Sequence, residues 1–153
     1  VIFVLAGLWG WTIGGVAAVI DSTIGVNNVM HNTLWVPAHF HSYYLFGAAG
    51  FTWAYLFHRL SGVEGWASSV AARRLAWLYA IGAGGFVLAF FFSGLQSVPR
   101  RYAVHVAEWQ GLAQIAVPFV LLLVVAFAGL LVMAVRSVPT AWRLPAIEPA
   151  GDD

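Results

Sequence analysis

Four apolar stretches, each long enough to cross a bilayer as a helix, follow one another along the chain with polar punctuation between them. A hydrocarbon core of about 30 Å needs about 20 such residues, and the pattern predicts spans over about 1–20, 37–60, 72–95 and 113–135. The expected fold is therefore all-α, an integral membrane helical bundle of four transmembrane helices over residues 1–136, followed by a polar C-terminal tail over 137–153. Gly10-xxx-Gly14 in the first span permits close helix approach. Asp21-Ser22-Thr23 ends that span. Pro37 opens the second, where its missing N–H has no intrahelical partner to lose. The chain begins inside an apolar segment, without a basic front or a small-residue cleavage site, and reads as the C-terminal piece of a longer membrane protein.

Composition agrees. Of 153 residues, 61% are hydrophobic and only 8% charged, where soluble chains carry roughly 25% charged residues. All seven basic residues are Arg, against six acids, so no basic stripe follows a phosphate backbone and nucleic acid is excluded as a partner. The absence of cysteine removes disulfides, thiolate metal sites and iron–sulfur clusters. Arginines at Arg59, Arg73, Arg74, Arg136 and Arg143 predict a cytoplasmic loop after span two and a cytoplasmic C-terminus. Arg100 and Arg101 then fall on the outer side, against the usual bias, which calls for an anionic group to hold them.

The candidate chemistry lies in Val36-Pro37-Ala38-His39-Phe40-His41 at the head of span two. Ionisable residues inside a membrane are rare and usually functional. At about 100° per residue, positions i and i+2 lie about 200° apart, so His39 and His41 leave opposite sides of the helix and cannot close on one metal. They are either two neutral imidazoles bonded to neighbouring helices or ligands of two separate sites. Imidazole is the common axial ligand of haem iron, and a helix with one ligand on each side would sit between two macrocycles, with Phe40 between the two directions. The adjacent pair Arg100-Arg101 offers guanidinium forks that match carboxylates such as haem propionates. His31 and Asn32 precede span two on the same outer side. His58 and His105 read as interfacial.

His31-Asn32-Thr33-Leu34-Trp35-Val36-Pro37-Ala38-His39-Phe40-His41, followed by Val98-Pro99-Arg100-Arg101-Tyr102, closely resembles subunit I of the haem–copper terminal oxidases, the cytochrome c oxidase superfamily. The resemblance covers essentially the whole chain, as the last four helices of a twelve-helix core. It implies two haems, with His39 the axial ligand of the high-spin haem, and thereby catalytic, and His41 an axial ligand of the low-spin haem. It places Phe40 between the haems, Arg100 and Arg101 on the propionates, and His31 and Asn32 in the propionate and water region. The position after His31 is Asp in many members, so Asn32 puts a magnesium ion in doubt. Asn32 with Leu-Trp-Val-Pro resembles the B-type branch of bacteria and archaea, hence a multi-pass protein of the prokaryotic plasma membrane.

The family's copper ligands come from earlier helices absent from this chain. The resemblance also implies, as partners, the rest of subunit I, a subunit II with the electron-entry site, a cytochrome c or similar donor, and the lipid bilayer. The implied activity is reduction of O2 to water with proton pumping, by an enzyme of which this segment is an inactive part. Alternatives are nitric oxide reduction by the same superfamily and a non-catalytic dihaem or structural membrane module. A transporter is disfavoured because spans one, three and four carry no charged or histidine side chain in their interiors.

Overall fold

A computed structural model describes residues 1–61, 63, 66 and 69–141. Helix α1 covers Ile2–Asp21, α2 Ile24–Met30, α3 Trp35–His41, α4 Ala49–Arg59, α5 Val70–Leu95, α6 Ala107–Gln114 and α7 Val117–Ala141, with a π-helical segment at Ser42–Ala48 between α3 and α4. The all-helical bundle is as expected. Three helical runs, Ile2–Asp21, Val70–Leu95 and Ala107–Ser137, are by length and composition able to cross a membrane. The second expected span takes another form: α3, the π segment and α4 abut without a break from Trp35 to Arg59.

The element ends carry their own reasons. Trp35 rather than Pro37 begins the second span, and Pro37 still lies in the first turn, where the lost N–H costs nothing. Thr33 organises that start: its hydroxyl donates to the Met30 carbonyl at 2.9 Å and accepts from the Trp35 N–H at 3.3 Å. The connections before α3 and after α5 hold the short helices α2 and α6, which the apolar pattern does not announce. At the other end α7 continues to Ala141, beyond the expected boundary at 136, and the rest of the expected tail lies outside the described residues.

Helix α5 starts at Val70, so Arg73 and Arg74 belong to its first turns instead of the preceding loop. Ser69 is the reason, its hydroxyl accepting from the Ala72 N–H at 3.3 Å as an N-cap. Ser69→Ala is expected to cost about 1 kcal/mol at this helix end, read as faster amide exchange at Ala72 and Arg73 and unchanged exchange at the far end of α5. Equal exchange at Ala72 in both proteins would remove the cap from the account.

Packing puts α5 at the centre, with α7 on one side and α3 on another, while α1 lies along the π segment and α4. One core cluster gathers Phe3, Trp53, Leu60, Tyr79, Leu123 and Leu130; the other gathers Ala17, Trp35, Ala38, Phe86, Phe91 and Ala116 around the start of α3. The outward face of α7 is a run of exposed Leu121, Val124, Val125, Leu131, Val132 and Val135, which matches hydrocarbon as solvent. Glycine governs the tightest contact of α1: a Cβ on Gly10 would strike the Cβ of Phe46 and come within 2.9 Å of the Ser42 carbonyl, and one on Gly14 would lie 2.6 Å from the Ser42 hydroxyl. The small-residue pair thus lets α1 lie directly on the π segment, as the spacing predicts.

Candidate haem-binding site

The head of the second span carries both histidines, and the structure sends them to different surroundings. His41 turns towards α5, where Phe86 and Phe90 meet its ring nearly perpendicularly at centroid distances of 5.0 and 6.2 Å. His39 packs along its own helix against Tyr43 at 5.1 Å, and Tyr43 in turn meets Trp11 of α1 at 6.1 Å. The angular separation expected from the i, i+2 spacing is present in these contacts. Phe40 between them is 50% exposed, with its ring 5.4 Å from that of His39.

The ring nitrogens of the two histidines differ in their partners. The Pro37 carbonyl lies 2.6 Å from His41 Nδ1, and because a carbonyl only accepts, Nδ1 carries the proton and Nε2 is the free lone pair. A backbone carbonyl holding the far nitrogen is how metal-binding imidazoles are oriented. His39 Nε2 is buried with no hydrogen-bond partner among the described residues. A buried ring nitrogen without a partner is costly, and the cost is relieved if a metal occupies the lone pair. The Ser42 hydroxyl, itself buried, donates to the His39 carbonyl at 2.6 Å and closes the turn between the two.

The loops before α3 and after α5 meet over the head of this helix. Thr33 and Pro99 form an antiparallel bridge, flanked by Leu34 N–H to Val98 carbonyl at 2.9 Å and Arg100 N–H to Asn32 carbonyl at 2.8 Å. Asn32 therefore sits beside Arg100 and contributes its backbone oxygen there, while its neighbour His31 is exposed. Arg100 is half-buried and its Nε has no partner among the described residues; Trp35 Nε1 is a second buried donor in the same condition. Two buried unpaired N–H groups at one end of the bundle fit anionic acceptors such as carboxylates. Arg101 is exposed and adopts a left-handed backbone with φ 67°. That conformation costs a non-glycine residue of order 1–3 kcal/mol and tends to be kept at functional sites.

Two contributors were not legible beforehand. Trp35 stands in the sequence only as one member of the family-like run, yet it is buried against Phe91 at 4.6 Å and offers its indole N–H. His105 counted as interfacial, yet its Nε2 bonds the Pro99 carbonyl at 3.0 Å and ties down the turn bearing the arginines. Neither role leaves a spacing signal, since both arise from loop contacts. His58 ends α4 at the opposite end of the bundle, away from the site. No three metal-ligating side chains of the His, Cys, Asp or Glu type come together among the described residues.

Comparison with known proteins bears on the family. The profile of the family described as "Cytochrome C and Quinol oxidase polypeptide I" matches residues 1–128. The chain is 32% identical over 99 residues to cytochrome c oxidase subunit 1 of Thermus thermophilus, covering 62% of this chain and 18% of the relative. It is 29% identical over 113 residues to cytochrome c oxidase polypeptide 1 of Halobacterium salinarum, covering 71% of this chain and 18% of the relative. Against cytochrome c oxidase subunit 1 of Cereibacter sphaeroides it is 30% identical over 112 residues, covering 66% and 18%. The chain thus spans less than a fifth of the length of these relatives. With the family profile matched over most of its length, the chain belongs to the cytochrome c and quinol oxidase polypeptide I family, the subunit I family of the haem–copper oxidases.

Proposed function

We propose that this chain is the part of a respiratory oxidase subunit I that holds two haems on one helix, His39 binding the high-spin haem and His41 the low-spin haem. The observation that carries the reading is the pair of histidines on opposite sides of a single helix, one with a nitrogen freed by the Pro37 carbonyl and the other with a buried nitrogen that has no partner among the described residues. Bound haem supplies one-electron redox chemistry and, where an axial position stays open, a site for a diatomic gas. The chain's own residues do the rest. One rigid helix fixes the separation of the two ligand positions, and Phe86 and Phe90 exclude water on the His41 side. Arg100, Arg101 and the Trp35 N–H offer charge and hydrogen bonds to propionates.

In the complete protein, we infer, the rest of subunit I supplies the copper ligands, subunit II delivers electrons from a cytochrome c or similar donor, and O2 is reduced to water with proton pumping. The inferred setting is a prokaryotic plasma membrane. The arginine distribution supports a cytoplasmic C-terminus, with the bridged loops of Thr33 and Pro99 outside.

The test is oxygen uptake by membranes containing the complete protein and fed with a reduced donor, combined with copper analysis. O2 consumption with stoichiometric copper is the expected result. Uptake of nitric oxide by a copper-free protein would replace it with the reductase of the same superfamily.

A charge prediction accompanies the reading. Arg100→Gln removes a positive charge beside the proposed propionates, and loss of a nearby cation favours the oxidised iron. Haem midpoint potentials are expected to fall, most for the haem whose propionates it touches. Potentiometric titration giving the same potentials as the wild type would sink the propionate assignment.

A further inference from the structure

The π segment Ser42–Ala48 begins directly after His41. A π turn closes over more residues than an α turn, is rare, and persists where surrounding structure holds it. Its effect on direction is large. Gaining or losing one residue in a helix rotates everything on one side of that point by about 100° relative to the other. The heading of His39 and His41 relative to α4, which Trp53 anchors in the lower core, therefore depends on the π register.

One face of α5 reads that register. Tyr79, Ala83, Phe86 and Phe90 recur at i, i+4, i+7 and i+11 and fall on a single side of the helix. Phe86 and Phe90 press their edges on His41. One and two turns away, Ala83 and Tyr79 are fully buried. The Tyr79 hydroxyl donates to the Leu45 carbonyl at 2.7 Å, across 34 positions of sequence. Among the described residues it is the one side-chain hydrogen bond that reaches the π segment from another helix. Leu45 lies four residues after His41, on the same side of the helix. The bond thus grips the π segment directly below the ring that Phe86 and Phe90 enclose.

We infer that Tyr79 is a positioning residue: its hydroxyl holds the π register and thereby sets the heading of His41 towards the low-spin haem. The heading part rests on the haem assignment proposed above; the register part does not. Without the hydroxyl, the Leu45 carbonyl loses that partner in a region with no water to replace it, which loosens the hold of α5 on the π segment.

The test is Tyr79→Phe in the complete membrane-embedded protein, a change that removes one oxygen and keeps the ring packed against Phe3. Amides over 44–49 are expected to exchange about tenfold faster, with those of α7 unchanged. The largest g value of the ferric low-spin haem, which reports imidazole orientation, is expected to shift. Unchanged exchange overturns the register lock. Faster exchange with an unmoved g value overturns the control of His41. A wild-type protein lacking any low-spin haem overturns the haem assignment and, with it, the positioning role, while exchange alone still decides the lock.

Discussion

His41→Leu in the complete protein is expected to abolish the six-coordinate low-spin haem and to leave the high-spin haem in place; His39→Leu is expected to do the reverse. The reason is geometric. The two rings leave the helix on different sides, His41 against Phe86 and Phe90 and His39 against Tyr43, so neither can stand in for the other. Leucine is close to the imidazole in size and suits an apolar setting, so each variant removes a ligand without opening a large void. Magnetic circular dichroism separates the two spin states in one sample. Loss of the same single species from both variants would contradict the two-site arrangement.

Gly94→Ala is the change expected to hurt folding most. Gly94 lies in the last turn of α5 against the first residue of α3, and a Cβ there would collide with the backbone nitrogen of Trp35. A flexible side chain could swing away, but a backbone cannot. The Trp35 ring is also fixed against Phe91, so the collision pushes the start of the histidine helix as a unit. Overpacking of this kind costs up to about 3 kcal/mol. Both haems are expected to be retained poorly, in contrast to the one-haem losses above, with a lowered unfolding temperature. Gly15→Ala is the control: nothing lies within 4 Å of its would-be Cβ, and Ala is the better helix former by about 1 kcal/mol. Equal stability of Gly94→Ala and the wild type would refute the close approach.

These two predictions differ in how far the sequence alone reached. The separation of His39 and His41 follows from helix geometry and two residue numbers, and the four apolar runs follow from bilayer thickness. The role of Gly94 does not, because its partner Trp35 lies far away in sequence and the contact is one of backbones. The π segment was equally hidden. Ser42-Tyr43-Tyr44-Leu45-Phe46-Gly47-Ala48 has the composition of an ordinary apolar helix, and what lies against it in the fold comes from α1, through Gly10 and Gly14, and from Tyr79. The resemblance of the Pro-Arg-Arg run suggested propionate contacts, but the antiparallel pairing of Thr33 with Pro99 that sets Arg100 beside Asn32 is a long-range backbone event with no periodic signature.

The central claim is that one helix serves two chemically different haem sites. It is tested most directly by reduced-minus-oxidised optical spectra of membranes containing the complete protein, recorded with and without carbon monoxide. The account predicts two haem populations of which only one binds carbon monoxide. A single population, or carbon monoxide binding to both, would contradict it, and the absence of any haem signal would return His39 and His41 to the role of structural histidines in a membrane bundle.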